Sequence, residues 1–210
     1  MNGRRQPRRI LVATSNGGKF REIAAMLGPL PVELVWLGEL GPAPPVIEDG
    51  STFAKNAVKK ATHYAAWSGL WTVGEDSGLE VDALAGAPGV HSARYAGRGR
   101  DDAANNAKLV AALSGVPRER RSARFRCAVV LASPDGDVLA QAEGLLEGRI
   151  IDEPRGQGGF GYDPHFFVPQ LGCTTAELSP EQKNSISHRG RAFRAILPHI
   201  ERLLQQCHDP

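Results

Sequence analysis

Four clusters of residues in this chain have types and spacings able to do chemistry. The first is Thr14-Ser15-Asn16-Gly17-Gly18, which follows a short apolar run and precedes a helix opening at Lys19. Backbone N–H groups at a helix start, backed by the helix dipole, make an anion site. Glycines there let the backbone approach a phosphate closely. The segment is not a Walker A loop, because Ala13 stands where the first glycine belongs and Phe20 where a Ser or Thr would hold Mg²⁺. An ordinary strand-to-helix turn explains the same residues. Glu22, three residues after Lys19, reads as a surface ion-pair partner.

The second cluster is Glu75-Asp76-Ser77-Gly78, delivered by the apolar run Trp71 to Gly74. Consecutive acids on extended chain point to opposite faces, so at most one of them faces a cleft easily. A carboxylate at a strand's carboxyl end is well placed for Mg²⁺, which prefers hard oxygen ligands and keeps several waters. Glu48, in the long loop before the second helix, can supply another oxygen. Taken alone, Asp-Ser-Gly is also ordinary turn chemistry. The third cluster, Gly156-Gln157-Gly158-Gly159-Phe160-Gly161, formally matches the dinucleotide fingerprint. It opens no helix, since Asp163-Pro164 and Phe166-Phe167-Val168-Pro169 continue it as extended chain. Four glycines, an aromatic and an acid fit a ligand-clasping wall, with a flexible connector as the alternative. The fourth is Lys183 with Ser187-His188-Arg189 at the entry to the last helix. Cations at a helix N-terminus oppose the dipole, which points to a ligand or to a solvated face.

The elements that must position these clusters follow from spacing and punctuation. Ile10 to Thr14 is a β-rich run, and Phe20, Ile23, Ala24 and Leu27 fall at helical spacing before Gly28-Pro29. Val32 to Leu37 reads as a second strand, followed by a Pro-rich loop from Gly38 to Gly50. Ser51 or Thr52 caps a second helix that ends at Gly69, and Asp101 caps a third running to about Leu113. Ala123, Phe125, Cys127, Val129 and Leu131 alternate, and Pro134-Asp135-Gly136-Asp137 turns into a partner strand from Val138. The last helix starts near Ser187 and carries Phe193, Ile196, Leu197, Ile200, Leu203 and Leu204. Helices alternating with strands early, then a hairpin, predict an α/β fold with a mixed sheet flanked by helices.

The bulk properties bound the class. The 210 residues form one domain, with no repeat and no linker. With 25 Lys and Arg against 23 Asp and Glu, no basic field covers the chain, which argues against a dedicated nucleic-acid partner. The local excess is an N-terminal arm, residues 1–9, with Arg4, Arg5, Arg8 and Arg9, expected to be disordered. The domain proper is expected over residues 10–210. The apolar stretch after the arm is too short for a signal peptide, and nothing is long enough to cross a membrane. Three widely spaced cysteines fit a reduced, cytoplasmic setting.

Jointly these segments resemble the inosine triphosphate pyrophosphatase family, the non-canonical purine NTP (dITP/XTP) pyrophosphatases. The matching stretches are Ala13 through Lys19 to Glu22, Thr52-Phe53 with Asn56-Ala57 and Lys60-Ala61, and Asp76-Ser77-Gly78-Leu79. Then come Gly86-Ala87-Pro88-Gly89, Ser92-Ala93-Arg94-Tyr95, Gly158 to Pro164, and Lys183 with Ser187 to Gly190. They occur in family order over nearly the whole chain, and their joint occurrence is specific. Glu75, Asn184 and Pro198 depart from the usual pattern, and Pro198 is expected to kink the last helix.

The resemblance implies an elongated, two-lobed single domain with a central active-site cleft, usually a homodimer. It implies Mg²⁺-dependent attack at the α-phosphorus of ITP, dITP or XTP, releasing pyrophosphate. Asp76 would be the catalytic acid/base and metal-side carboxylate, with Glu48 a second Mg²⁺ ligand. Lys19 and Lys60 would neutralise the triphosphate beside the backbone of Thr14, Ser15, Asn16, Gly17 and Gly18. Ser77, Phe160, Gly161, Tyr162, Asp163, Lys183, His188 and Arg189 would hold the nucleoside. A keto oxygen at C6 accepts hydrogen bonds where the adenine amine donates them. Donors such as Lys183, His188 and Arg189 would therefore favour keto purines over ATP. Competing readings are a Maf-type pyrophosphatase, opposed by the Gly-Gly-Phe-Gly-Tyr-Asp and Ser-His-Arg segments, and an RNA-binding module using the arginine arm. The misplaced glycine pattern opposes a nicotinamide oxidoreductase.

Overall fold

Local signals set most element ends in the computed structural model, which describes residues 7–206 apart from 98 and 100. The Asn16 side chain accepts the Lys19 N–H and starts α1 (Gly17–Leu27), two residues before the expected start at Lys19. Thr52 caps α2 (Phe53–Ser68), and Gly69 closes it at φ +67°, the left-handed region that favours glycine. Asp101 caps α3 (Asp102–Ala112). The strands are β1 (Arg8–Val12), β2 (Val32–Trp36), β3 (Trp71–Val81), β4 (Ser122–Ala132), β5 (Val138–Ile150), β6 (Phe166–Val168) and β7 (Cys173–Thr174). Two helices end the chain, α4 (Pro180–Ile186) and α5 (His188–Gln206).

The sheet runs β2-β1-β3-β4-β5-β6-β7. Pairs β1–β2 and β1–β3 are parallel and the others antiparallel, so the expected mixed sheet forms. β1 takes in part of the expected arm: Arg9 pairs with Glu33 at 3.2 Å, and the Arg8 guanidinium lies 4.0 Å from the Trp71 ring centre. Arg4 and Arg5 lie outside the described residues, as does Cys207.

One expectation fails in a useful way. Glu75-Asp76-Ser77-Gly78 is neither a turn nor a strand end; it lies in the middle of the eleven-residue β3, paired to β4 along its length. The ladder overrides the turn preference of Asp-Ser-Gly. The flanking glycines serve close approach instead. A Cβ on Gly74 would sit 2.6 Å from the Ala61 nitrogen of α2, and one on Gly78 2.7 Å from the Gly89 carbonyl oxygen. Asp163-Pro164 also differs from the extended reading, since residues 163–165 make one 3-10 turn before β6.

On one face of β3, Trp71 and Val73 join a core with Ile10, Ile23, Val129, Phe193 and Ile196. Leu79 and Val81 join a second core with Leu109, Phe125, Ile150 and Phe166. The polar pair Glu75 and Ser77 forms the waist between them. On the opposite face, Ala57, Ala61 and Ala65 of α2 pack on Ala128, Val130 and Ala132. α5 continues through Pro198 as a single helix, its stripe running from Phe193 and Ile196 to Ile200 and Leu204. Each of those buried side chains contributes about 1.5–3 kcal/mol, which holds the helix on the sheet across the missing N–H.

Candidate active site

The site forms where β1 stops and β3 does not. β1 pairs with β3 only as far as Val12 opposite Val73, and the Ala13 N–H to Val73 carbonyl bond (2.9 Å) ends the contact. β3 continues for eight residues, and that edge stays without a strand partner until the Glu80–Pro88 bridge near its end. A cavity of about 390 Å³ lies there, within the range of small-ligand sites. Every site residue expected from the sequence lines it except Gly17 and Gly18. Gly18 instead floors the Phe160 ring: a Cβ there would come 2.9 Å from Phe160 Cδ1.

The two consecutive acids diverge as alternation requires. Glu75 is buried, with its side chain 1% exposed, and binds Lys19 Nζ at 2.7 Å and Arg189 Nη2 at 3.4 Å. Burial disfavours its charge, but Lys19, Arg189 and Lys60 outweigh burial and hold the carboxyl well below the usual carboxylate range. Asp76 lines the cavity. Burial raises its pKa against the pull of Lys60 and Lys19. Two adjacent carboxylates with pKa values pushed apart is a pattern of divided roles, one a fixed anion and one able to exchange a proton. Lys60, from α2, donates to the Glu75 carbonyl at 3.1 Å and sits 2.7 Å from Glu48 and 3.8 Å from Asp76. Burial opposes its charge, and Asp76, Glu48 and Glu75 together keep its pKa raised.

Glu22 overturns its surface reading. Its side chain is only 13% exposed, bonds Lys183 Nζ at 2.8 Å, and forms an ion pair with Arg189 Nη1. Lys183 also binds Asp163 at 2.6 Å, and Arg189 Nη2 donates to Ser77 Oγ at 2.9 Å. Arg189, at the start of α5, therefore belongs to an internal network that offsets its unfavourable place on the dipole. Lys183, expected at the same helix entry, instead sits in the last turn of α4, where the dipole favours a cation. Their donors are partly committed. Lys183 spends two of its three protons on carboxylates, and Arg189 Nε meets no acceptor among the described residues. His188 is buried, its ring stacked 4.8 Å from Phe125. Burial, then Arg189 and Lys183, push its pKa well down, so the ring is neutral, and its Nδ1 has no partner among the described residues.

Some participants escaped the sequence reading. Asn56 is buried; its Nδ2 donates to Asp76 Oδ2 at 3.1 Å and its Oδ1 accepts the Gly50 N–H at 2.7 Å. It thus ties the loop carrying Glu48 to Asp76. The available signal was Asn56 and Lys60 on the otherwise apolar face of an amphipathic helix. Tyr64 and Arg94 also line the cavity, and Arg94 reaches the Glu48 carbonyl at 3.3 Å.

Around the cavity, five cationic side chains (Lys19, Lys60, Arg94, Lys183, Arg189) stand among six carboxylates (Glu22, Glu48, Glu75, Asp76, Asp102, Asp163), Glu22 and Glu75 lying behind the lining. Among the described residues no cluster of three or more acids, histidines or cysteines could hold a metal unaided. Glu48 and Asp76 both present hard oxygens to Lys60 Nζ, at 2.7 and 3.8 Å, and a cation that completes its shell with water and phosphate suits such oxygens.

Known proteins place this arrangement. A dITP/XTP pyrophosphatase of Desulforamulus reducens is 51% identical over 195 residues, covering 93% of this chain and 96% of the relative. A dITP/XTP pyrophosphatase of Geobacter sulfurreducens is 53% identical over 192 residues, covering 91% and 96%. The solved HAM1 protein of Coxiella burnetii superposes with a TM-score of 0.82 at 39% identity, over 95% of this chain and 99% of that one. A nucleoside-triphosphatase (dITP/XTP pyrophosphatase) structure from Mycobacterium abscessus gives 0.72 at 47% identity, over 91% and 99%. The profile of the Ham1 family matches residues 10–199. With that match spanning the sheet, the cleft and most of the last helix, the chain belongs to the Ham1 family.

Proposed function

We propose that this chain hydrolyses non-canonical purine nucleoside triphosphates (ITP, dITP, XTP) to the monophosphate and pyrophosphate, removing them from the nucleotide pool. The observation that carries the reading is one cavity lined by two unlike sets of residues. Lys60, Glu48 and Asp76 lie within 4 Å of one another through Lys60 Nζ, with Lys19 also on the wall, and the same cavity is lined by Phe160, Tyr162 and a neutral His188. Lys19 and Lys60, with the positive end of α1, bind the phosphate chain. Asp76, held by Asn56, orients a water toward the α-phosphorus and takes its proton as the bond to the pyrophosphate oxygen breaks. Mg²⁺ is the fitting cation: Glu48 and Asp76 would hold it, and it would neutralise phosphate oxygens and make a bound water more acidic.

At the nucleoside end, Lys183, with two of its three protons on carboxylates, keeps one donor for an acceptor on the base. A keto purine supplies one at C6; the adenine amine does not. Unmet buried donors cost enough to discriminate strongly. The family resemblance further supports a homodimer, which light scattering at micromolar concentration reads. It also supports a cytoplasmic setting; among the described residues no helix is long and apolar enough to cross a membrane. The test is pyrophosphate release with Mg²⁺ from ITP, XTP, GTP and ATP. We expect ITP and XTP to exceed ATP by about 10²-fold or more in kcat/KM. Asp76→Asn should lose about 10²–10⁴-fold in kcat. Equal rates on ATP overturn the specificity, and an active Asp76→Asn overturns the mechanism.

A further inference from the structure

No reactive group was expected from α3, yet its first two turns hold two walls of the cavity. Asp102 Oδ2 accepts the Gly161 N–H at 2.7 Å, and Asn106 Nδ2 donates to the Gly161 carbonyl at 2.9 Å. Gly161 has φ +63°, so the chain turns sharply there, and the peptide groups before and after its Cα are each held by one side chain of α3. It follows Phe160 directly, whose own N–H goes to Asp163 at 2.8 Å. The neighbouring Asn105, buried, accepts the Ala96 N–H at 2.7 Å and donates to the Ala93 carbonyl at 3.4 Å, bracketing Arg94. Tyr162 closes the arrangement, donating to the Ser92 carbonyl at 2.8 Å. The Phe160 ring is thereby kept over Gly18, 4.7 Å from Lys183 Nζ and 5.6 Å from the Arg189 guanidinium carbon.

We propose that Asp102 and Asn106 are positioning residues for nucleoside recognition, fixing the Gly161 peptide so that Phe160 and the Lys183–Arg189 pair meet the base in one geometry. The inference rests on the nucleotide-hydrolase reading above and adds to it two residues on a separate helix. Asp102 is exposed, so it adds little to the apolar core. A carboxylate accepting a single loop N–H there acts on the loop far more than on global stability.

The experiment compares wild type, Asp102→Ala, Asp102→Asn and Asn106→Asp. It measures KM and kcat for ITP and ATP, inhibition by inorganic tripolyphosphate, and hydrogen exchange at the Gly161 amide. Loss of a hydrogen bond to a charged acceptor predicts KM for ITP raised about tenfold in Asp102→Ala, with the ITP:ATP preference reduced in proportion. Tripolyphosphate inhibition should stay within about twofold, because the phosphate end is untouched, and Gly161 exchange should quicken by a similar tenfold. Asp102→Asn keeps an oxygen acceptor and should recover most of the loss. Asn106→Asp, which cannot donate to a carbonyl, should behave as Asp102→Ala; if it melts early, the Asp102 pair decides. Unchanged ITP preference and exchange in Asp102→Ala overturn the proposal, as does tripolyphosphate inhibition weakened in parallel with ITP. A wild type with no preference for ITP sinks the nucleotide reading instead, and the exchange rates then decide by themselves whether α3 holds the loop.

Discussion

Replacing Glu75 by Gln preserves shape and removes one buried negative charge, so it isolates the electrostatics of the waist. In the wild type this carboxylate contacts Lys19 at 2.7 Å and Arg189 at 3.4 Å, and accepts the Cys127 thiol at 3.4 Å. Breaking a buried ion pair costs about 3–5 kcal/mol. Two features put Glu75→Gln at the lower end, about 3 kcal/mol: Arg189 keeps Glu22 and Ser77, and Lys19 is partly exposed and can turn to water. For a chain of this size that lowers Tm by about 6–12 °C. The pH dependence follows in sign. The folded carboxyl titrates well below its ordinary 4.5, so its contribution is complete above that pH and is lost as pH falls through the folded value. The variant's deficit should be full at pH 7 and begin to close below about pH 4.5. Urea and thermal unfolding at pH 7 and pH 4, read by tryptophan fluorescence, measure both. A variant melting within about 2 °C of wild type at pH 7, or a deficit that widens on acidification, refutes the reasoning.

Gly18→Ala places a Cβ 2.9 Å from Phe160 and 3.1 Å from Asn16 Oδ1, so the ring must move. Steady-state kinetics on ITP should show kcat/KM lower by about 10- to 10²-fold. Asn56→Ala strips the partner from the Gly50 N–H and from Asp76 at once, costing about 1–3 kcal/mol in unfolding and lowering kcat more than it raises KM. His188 is held neutral with its pKa depressed below 6.5, so the unfolded chain binds a proton that the folded chain does not. Wild-type stability should therefore decline as pH drops below 6.5, and His188→Phe should flatten that slope in urea midpoints taken between pH 7.5 and pH 5, pH settings of about that range bracketing the free imidazole.

Much of the framework was legible because it is decided within a few residues of chain. Thr52 and Asp101 cap their helices with bonds to the third residue onward, and Gly69 ends α2 in a conformation that suits glycine. The alternation in β4 announced its strand for the same reason. Alternation said that at most one of the two adjacent acids faces the cleft, and only the family resemblance chose Asp76. What distant chain supplies was not legible. Glu22 meets Lys183 and Arg189 across sequence separations of 161 and 167 residues, and no local pattern separates a buried carboxylate from a solvated one at that position. Asp-Ser-Gly became mid-strand only because β4 runs the full length beside it and α2 demands glycine at position 74. Asn56 and α3 acquired their roles in the same way. Caps and periods are local energies written in neighbouring residues, while charge pairing, burial and loop placement depend on which surfaces the assembled sheet and helices bring together.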